Sequence, residues 1–558
     1  MLKVNSIKKT YRDTNINALD GVSFSVEEGE IVGILGESGS GKSTLLRILR
    51  GIEEFDEGTI CFDGLEIKPD SPKDDFLSLQ KKTAIQLQRT FGLWPDSPVE
   101  NVIRALVYCD RGEEVIPDNE GEYKEYRARA VEILKIVGLE KRADMWTQVL
   151  AGGEKQRLIV ARQIARNPKL LLLDEPGTMT CPATRMDLIN ALKKANKETG
   201  ITIIFASHNP QTHRDLTKRT LLLERGKIQA DGNTDDILQK FLSKIEAPLD
   251  KKTVKGNTVL KMENVSKIYK MITLGKVFEM SETTVQFRRG EIVGIVGPSG
   301  AGKTIILRML AGLELPDKGE VEVIYDNEWV RLGKLGRKSL RARTRIGMLH
   351  QEFDLPHWGK VLDLFAAQIG IKDPKMIEDA LARAKATGIK EEVVDALHRV
   401  AELPEGEMEA RLKDIGLNRE TLHELFKSKD PEEAKEVSIA ALRSMGLKQG
   451  ILERHVYELS GGEKIRVALA LAIIANPRVL ILDEPFGDLD PITLRIVANS
   501  LKRIKELLRP AIILVSHQLD LVEEVSDRCI LERNGRIIMD GNPSEVIKCF
   551  MEEEQDEL

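Results

Sequence analysis

Short continuous apolar runs that stop abruptly at polar residues recur along the chain. Residues 170–176 read LLLLDEP and residues 479–485 read VLILDEP, and each is followed by a second run, ITIIFASH at 201–208 and AIILVSH at 511–517. Uninterrupted apolar residues over so few positions are typical of strands buried on both faces of a parallel sheet. The pattern therefore predicts an α/β fold.

A glycine-rich turn follows another apolar run in each half of the chain. Residues 29–44 read GEIVGILGESGSGKST, and residues 290–305 read GEIVGIVGPSGAGKTI. Both contain G-x-x-x-x-G-K-[ST] between a predicted strand and a predicted helix, the context in which this pattern marks a phosphate-binding loop. Backbone N–H groups of such a turn and of the following helix form an anion site. The chain is therefore predicted to bind two nucleotides.

The residue types in both loops suit phosphate chemistry. Lys42 and Lys303 are placed to reach the outer phosphates, and Ser43 and Thr304 are placed to hold Mg²⁺. We call the residues around Lys42 the first site and those around Lys303 the second site. The other predicted phosphate contacts are Gly36, Ser38, Gly39, Ser40, Gly41, Thr44, Gly297, Ser299, Gly300, Ala301, Gly302 and Ile305.

Acidic residues end the strands of the two DEP motifs. Asp174 and Asp483 stand where a carboxylate can contact Mg²⁺ or its bound water. Glu175 and Glu484 follow directly, placed to polarise an attacking water. Because phosphoryl transfer depends mainly on positioning and charge neutralisation, these residues are predicted to complete both sites.

Histidines end the next strand in both halves. His208 and His517 follow ITIIFAS and AIILVS, where a side chain can contact the γ-phosphate. A lone histidine at a strand end is more often a hydrogen-bonded core residue than a catalytic one. Because both histidines follow matched DEP motifs, we predict that they are catalytic.

The matched motifs indicate a duplication. Lys303 follows Lys42 by 261 residues, whereas Asp483 follows Asp174 by 309 residues. A spacing this long indicates two domains rather than a solenoid of short repeats. The second half also carries about 46 residues that the first half lacks.

Composition suggests where the domains end. We predict a first domain over residues 1–241, a polar linker with Pro and Gly over 242–257, and a second domain over 258–558. Residues of about 371–440, rich in Ala, Glu, Lys, Leu and Arg, show helical apolar spacing. They predict a helical insert, which either docks a protein partner or is a solvated elaboration.

Composition also narrows the function classes. Charged residues are 31% of the chain, mean hydropathy is −0.23 and net charge is −6, so nucleic-acid binding is not expected. With no run of 18 apolar residues and no signal-peptide start, we expect a cytoplasmic protein without direct membrane insertion. The five cysteines lack a C-x-x-C pattern, which argues against an iron–sulfur or zinc module and predicts that most are core residues.

Two further segments carry a family resemblance. LAGGEKQR at 150–157 and LSGGEKIR at 459–466 resemble the signature motif of the ATP-binding cassette (ABC) family. With the phosphate loops and DEP motifs, the resemblance covers nearly the whole chain. It implies two ATP-hydrolysing cassettes, each an α/β nucleotide-binding domain with a helical subdomain. The cassettes would pair head to tail, so that each ATP is held between the phosphate loop of one and the signature of the other.

The resemblance also implies roles for other residues. Gln88 and Gln351 match the glutamine loops that sense Mg²⁺, with Gln86 as the alternative to Gln88. Tyr11 and Tyr269 match the aromatic residue that stacks on adenine, and ordinary surface tyrosines are the alternative. The implied signature contacts to nucleotide are Gly152, Gly153, Ser460, Gly461 and Gly462.

The halves differ within these motifs. PFGDLD in the second half resembles the D-loop of the family with Asp490 in place, whereas the first half reads PGTMTCP with Cys181 at that position. Ala151 stands where the second signature has Ser460. The presence of Cys181 is explained by a relaxed requirement for aspartate at this position in the first half. A redox role for the cysteine is the alternative. Under head-to-tail pairing, the first site is expected to hydrolyse ATP faster and the second to hold ATP longer.

Three segments resemble a narrower group. LRGIEEFDEG at 49–58, LLLDEPGTMTCPATR at 171–185 and HQEFDLPHW at 350–358 resemble the methyl-coenzyme M reductase activation ATPases of methanogens, component A two. This resemblance implies that ATP drives the reductive activation of that nickel tetrapyrrole enzyme in a multiprotein complex, with the reductase as partner. The alternative is a fused twin ATPase of an importer that works with a separate membrane permease.

Overall fold

The chain folds into two compact units. The first comprises Met1–Ile245 with Asp488–Ile492, and the second comprises Glu246–Gly487 and Thr493–Leu558. Parallel strands with helices in both units confirm the predicted α/β fold class. The structure is a computed structural model, and it describes the chain except for residues 13–15, 88–91, 178–181, 253–255, 272–274, 299, 352–354, 356–358, 487–488 and 557–558.

The first unit is built from both strands and helices. Its strands are β1 (Leu2–Tyr11), β2 (Ile16–Val26), β3 (Ile31–Leu35), β4 (Glu57–Phe62), β5 (Leu65–Ile67), β6 (Thr83–Gln86), β7 (Leu170–Asp174), β8 (Thr202–Ser207), β9 (Arg219–Glu224) and β10 (Lys227–Asn233). Its helices are α1 (Lys42–Arg50), α2 (Lys73–Lys82), α3 (Pro98–Arg111), α4 (Glu120–Ile136), α5 (Gly152–Ala165), α6 (Pro182–Thr199), α7 (Pro210–Leu216) and α8 (Thr234–Leu242).

A six-stranded sheet forms the centre of the first unit. Its order is β10-β9-β3-β8-β7-β6, with all pairs parallel except β9–β10. Every residue of β7 and β8 is buried, which confirms the prediction from their continuous apolar runs. Alternate residues serve opposite faces, because Leu171 and Leu173 join one apolar cluster while Leu170 and Leu172 join the other. A four-stranded antiparallel sheet, β2-β1-β4-β5, completes the unit.

The second unit repeats both sheets, in the orders β16-β17-β18-β13-β19-β20 and β12-β11-β14-β15. Its strands are β11 (Thr258–Met271), β12 (Gly275–Arg288), β13 (Ile292–Val296), β14 (Lys318–Tyr325), β15 (Glu328–Arg331), β16 (Ile346–Leu349), β17 (Val479–Asp483), β18 (Ala511–Val515), β19 (Arg528–Arg533) and β20 (Arg536–Gly541). Its helices are α9 (Lys303–Leu310), α10 (Arg337–Arg343), α11 (Val361–Lys372), α12 (Pro374–Ala386), α13 (Glu391–Ala401), α14 (Glu405–Asp414), α15 (Arg419–Leu425), α16 (Pro431–Ser444), α17 (Gly461–Ile473), α18 (Pro491–Leu507), α19 (Leu519–Val525) and α20 (Pro543–Asp556).

Four helices, α12 to α15, lie where the first unit has a short connection. Residues 112–119 join α3 to α4 there, whereas α12–α15 separate α11 from α16. We call α12–α15 the insert. It has an apolar core of its own that includes Leu340 of α10. Charged side chains buried at its base add to this attachment, since Arg343 donates to Asp395 at 2.6 Å and Lys372 donates to Glu402 at 2.7 Å.

The segment predicted as a linker, 242–257, begins at the last residue of α8, and its residues 246–252 belong to the second unit. Asn499 of α18 donates to the carbonyl of Ala247 at 3.0 Å and accepts from the N–H of Leu249 at 3.0 Å. Lys502 donates to the carbonyl of Leu249 at 2.8 Å. Residues 247–249 are thus bound to the second unit.

Two properties bear on the expectations from composition. In the described ranges of the chain, no helix combines the length and the apolar character needed to cross a membrane. The expectation that most cysteines are core residues is wrong for those described, because Cys529 is buried while Cys61 and Cys549 are half-buried and Cys109 is exposed. Burial raises the pKa of the Cys529 thiol to about 12.

Candidate functional site

The parallel register gathers the residues of the first site at one edge of the sheet. Leu35 pairs with Ser207, and Asp174 pairs with Ala206. Because parallel strands end at the same edge, the loop after β3, the acidic pair at the end of β7 and His208 after β8 lie together. The predicted loop residues Gly36, Ser38, Gly39, Ser40 and Gly41 lie between β3 and α1, and Lys42, Ser43 and Thr44 form the first turn of α1.

Lys42 folds back over the loop of the first site. Its Nζ donates to the carbonyl oxygens of Gly36 and Glu37, both at 2.9 Å. Burial lowers the pKa of Lys42, and the charges of Glu175 and Asp174 oppose that shift. Gly41 caps the helix with φ of 102°, a left-handed conformation that a glycine adopts without strain. The ammonium group thus points into the turn where phosphates are expected.

Glu175 is fixed by both its backbone and its neighbours. Its φ of 54° lies in the left-handed region, which costs a non-glycine residue about 1–3 kcal/mol. Ser207 Oγ donates to Oε2 at 3.1 Å, the backbone N–H of His208 donates to Oε1 at 3.1 Å, and His208 Nδ1 lies 2.8 Å from Oε1. Burial alone raises the pKa of Glu175, but the contacts with His208 and Ser207 and the charge of Lys42 together lower it.

Asp174 has the properties of a cation-binding carboxylate. It is buried, and its Oδ1 has no hydrogen-bond partner within the described ranges. Burial raises its pKa, partly opposed by a hydrogen bond from Ser43. A buried oxygen without a partner is costly unless something else satisfies it. Asp174 and Ser43 therefore fit a divalent cation or its bound water.

The second site repeats this arrangement around Lys303. Its Nζ donates to the carbonyl oxygens of Gly297 and Pro298 at 2.9 and 2.8 Å. Thr304 Oγ1 donates to Asp483 Oδ1 at 3.3 Å, which places the predicted Mg²⁺ ligand beside the predicted acidic residue. Burial raises the pKa of Asp483 to about 6. Gly300, Ala301 and Gly302 lie in the loop before α9, and Ile305 lies in its first turn.

The histidine of the second site is much more open to solvent. Glu484 repeats the left-handed backbone, with φ of 47°. His517 contacts it through Nε2 at 2.9 Å, with 53% of its side chain exposed. His208, by contrast, contacts Glu175 through Nδ1 and has 12% of its side chain exposed. The two predicted catalytic pairs are therefore both present, with different geometry.

The two signatures differ at the start of their helices. Ser460 caps α17, because its Oγ accepts from the N–H of Glu463 at 3.3 Å while its own N–H donates to the Glu463 carboxylate at 2.9 Å. Ala151 keeps the second of these bonds, since its N–H donates to Glu154 at 2.9 Å. Gly152, Gly153, Gly461 and Gly462 form the first residues of α5 and α17.

The tyrosines and glutamines have mixed placements. Tyr11 lies with its hydroxyl 3.3 Å from Thr44 Oγ1, next to the phosphate loop. Burial raises the pKa of Tyr269, and the charge of Glu314 adds to the shift.

Gln351 follows β16 and is exposed. Gln86, the alternative to Gln88, is a buried residue at the end of β6. Of the predicted site residues, Gln88, Ser299 and Cys181 lie outside the described residues.

The insert reaches the second site through two contacts that the sequence did not predict. Arg308, one turn after Thr304 on α9, donates twice to the Glu407 carboxylate of α14, at 3.0 and 2.8 Å. His350, directly before Gln351, lies with Nε2 2.9 Å from the backbone oxygen of Glu402. These contacts join the insert to the phosphate-loop helix and to the strand that leads to the glutamine.

The machinery assembled at each sheet edge is that of a P-loop ATPase. Sequence comparison agrees, because residues 19–178 and 280–487 match the ABC transporter family. The chain belongs to this family, and it is an ATP-binding protein and an ATPase with two tandem cassettes.

Similar proteins span the whole chain. The uncharacterized ABC transporter ATP-binding protein MJ1662 of Methanocaldococcus jannaschii is 43% identical over 99% of this chain and 97% of its own length. A second such protein of that organism, MJ1242, is 33% identical over 100% of this chain and 98% of its own length. The archaeal ribosome recycling factor aABCE1, solved with ribosomal stalk protein aP1, is 20% identical with a TM-score of 0.54, covering 98% of this chain and 92% of its own. That likeness shows the fold alone.

Proposed function

We propose that this ATPase couples ATP to the reductive activation of methyl-coenzyme M reductase within a multiprotein complex. The observation that carries the proposal is the resemblance of residues 49–58, 171–185 and 350–358 to the activation ATPases. Two of these segments also contain residues common to all cassettes, Asp174, Glu175 and Gln351, so the narrower resemblance rests on the residues beside them. ATP would drive conformational work in the complex, while electrons would come from partner proteins.

Mg²⁺ is the proposed cofactor of both sites. Ser43 and Asp174 would hold it in the first site, and Thr304 and Asp483 in the second. Gln88 and Gln351 are the further proposed contacts by resemblance to the family. When bound, the ion neutralises charge that develops on the phosphates during transfer.

The chain supplies the remaining chemistry. Lys42 is placed to balance phosphate charge, because its ammonium already points into the loop. Glu175 would orient the attacking water, and the contact with His208 keeps this carboxylate ionised and in place. Lys303 and Glu484 have the same proposed roles in the second site, where His517 contacts the Glu484 carboxylate.

We propose that the partner docks on the outer face of the insert. Val393 and Ile415 lie there, and they are 46% and 56% exposed. The opposite, inner face is bound to the rest of the second unit by the buried contacts of Asp395 and Glu402. The outer face is therefore held in a fixed position on the second unit. Through Arg308 and Glu407, a partner held on this face would act on α9.

The direct test is recovery of partners with the tagged full-length chain from its host. We expect methyl-coenzyme M reductase to be recovered with the unchanged chain and to be lost with Val393→Asp or Ile415→Asp. Ile538→Asp is the matched control, because Ile538 is a similarly exposed apolar residue on β20, away from the insert. Recovery of a membrane permease instead of the reductase would contradict the proposal and favour the importer.

A further inference from the structure

A buried carboxyl group lies beneath the phosphate loop of the second site. Glu532 follows Leu531, the residue of β19 that pairs with Val296 at the end of β13, and Glu532 is 0% exposed. The loop touches its backbone, because a methyl group added at Gly297 would come within 2.1 Å of the Glu532 carbonyl oxygen. Glu532 therefore belongs to the wall of this site.

The first site has a leucine at the equivalent position. Leu223 follows Leu222, which pairs with Leu35 at the end of β3. A methyl group added at Gly36 would come within 2.2 Å of the Leu223 carbonyl oxygen, and Leu223 is itself fully buried. Both loops thus rest on equivalent backbone, which carries an apolar side chain in the first site and an ionisable one in the second.

One oxygen of the Glu532 carboxyl is left for another partner. Oε1 accepts from the N–H of Gly535 at 2.8 Å, whereas Oε2 has no hydrogen-bond partner in the described part of the chain. Among the described residues, the charge that acts on this carboxyl is that of Lys303 on α9, and Ile537 of β20 pairs with the Glu532 backbone. Burial raises the pKa of Glu532 to about 7, against the opposing effects of Gly535 and Lys303.

We propose that Glu532 sets the nucleotide affinity of the second site, which binds phosphates most tightly when this carboxyl is protonated. An ionised Glu532 adds negative charge beside the anionic phosphates and competes with them for the Lys303 ammonium. A neutral Glu532 does neither, so the arrival of phosphates draws a proton onto it. The first site, with Leu223, lacks this dependence. The inference rests on the ATP chemistry of the family and is independent of the proposed reductase partner.

Linkage gives the direction of the pH effect. Bound phosphates raise the pKa of Glu532 above its value in the free protein, so nucleotide affinity is highest below that value and falls as the pH rises through it. Each unit of further rise in pKa changes the affinity by up to about tenfold. We expect the second site to lose about threefold to tenfold in affinity between about pH 6 and about pH 8.5.

The test is calorimetric binding of Mg²⁺–ADP to the full chain carrying Lys42→Ala, which leaves the second site in use. Titrations at several pH values, in two buffers of different ionisation enthalpy, report both the affinity and the protons taken up. Glu532→Gln keeps an oxygen that accepts from the N–H of Gly535 and removes the ionisable carboxyl group. Glu532→Leu introduces the residue that the first site has at this position. The chain carrying Lys303→Ala reports the first site as a control for the titration of ADP itself.

The expected result is net proton uptake and pH-dependent affinity in the Lys42→Ala chain, beyond the Lys303→Ala control, with both effects lost on adding either Glu532 substitution. Equal pH dependence with and without Glu532→Gln would overturn the inference. So would a uniform loss of affinity at every pH, because that outcome indicates a purely structural carboxyl. If the Lys42→Ala chain bound no Mg²⁺–ADP at all the pH values tested, the assignment of a nucleotide site around Lys303 would itself be wrong.

Discussion

The two nucleotide sites share their backbone and differ in the side chains around it. In both, a lysine donates to two carbonyl oxygens of its loop, and the glutamate after the DEP aspartate has a left-handed φ. His208 is mostly buried against Glu175, whereas His517 is half-exposed beside Glu484. Duplication thus preserved the residues that shape the loop, while the groups that tune the charge around the loop diverged.

The phosphate-loop helices differ in the same way. Arg47 of α1 is exposed, whereas Arg308, the matching residue of α9, is held by Glu407 of the insert. The second site is thus connected to a structure that the first lacks. We infer that the first site hydrolyses ATP faster, whereas nucleotide binding at the second site responds to the state of the insert.

The largest expected effect comes from removing both lysines. Lys42→Ala and Lys303→Ala together should lower steady-state ATPase activity by about a hundredfold or more, because each removes a positioned charge from phosphoryl transfer. Lys42→Ala alone should remove most of the activity and Lys303→Ala alone a smaller part. Activity near that of the unchanged chain in the double variant would contradict the assignment of both sites.

Breaking the ion pair at the base of the insert should mainly destabilise the second unit. Asp395→Ala removes the nearer of the two carboxylates that pair with the buried Arg343 guanidinium and leaves Glu402 at 3.6 Å; breaking a buried pair typically costs about 3–5 kcal/mol. Glu328→Gln, which removes an exposed pair with Lys338, should cost at most about 1 kcal/mol. Thermal and urea unfolding of both variants would measure the difference, and equal losses would argue against a buried anchor.

The two histidines should have unequal weight. His208→Ala should slow the first site about tenfold to a hundredfold, because it removes a buried hydrogen bond to a charged group, worth about 1.5–3 kcal/mol. His517→Ala should slow the second site by less, since solvent already screens this contact. Single-turnover rates in Lys303→Ala and Lys42→Ala backgrounds isolate each site. A larger loss of rate from His517→Ala than from His208→Ala would contradict our inference that the more buried histidine contributes more.

The smallest expected effect concerns the contact between the insert and α9. Glu407→Gln or Arg308→Gln should weaken nucleotide binding at the second site by a few fold, because a half-exposed ion pair contributes about 0–1 kcal/mol. Arg47→Gln is the matched control and should leave the first site unchanged. If Arg47→Gln and Arg308→Gln have the same effect on their own sites, the insert does not distinguish them.

The sequence was sufficient to predict the parts of the sites that are local. The glycine-rich loops and DEP strands are short, and their apolar runs and polar ends follow directly from burial on both faces of a parallel sheet. The parallel fold then brings Asp174, Glu175 and His208 together at one edge, as expected.

Long-range features escaped prediction for physical reasons. Arg308 and Glu407 are 99 residues apart, and each looks like an ordinary solvated charge on its own helix. Glu532 looks like the polar end of a strand, because burial depends on what the fold places over it. One signal was available, since aligning the halves on Gly226 and Gly535 sets Glu532 opposite an apolar residue. The prediction that most cysteines are buried failed for a similar reason, because composition does not specify which face of an element a residue occupies.

The central claim, that the two sites are unequal, is tested most directly by single-turnover hydrolysis in Glu175→Gln and Glu484→Gln chains. Each substitution keeps the size of the side chain and removes the charge that orients water, so it disables one site and reports the other. We predict the larger loss of hydrolysis from Glu175→Gln, with ATP retained longer at the second site. Equal residual rates, or a larger loss from Glu484→Gln, would contradict the account.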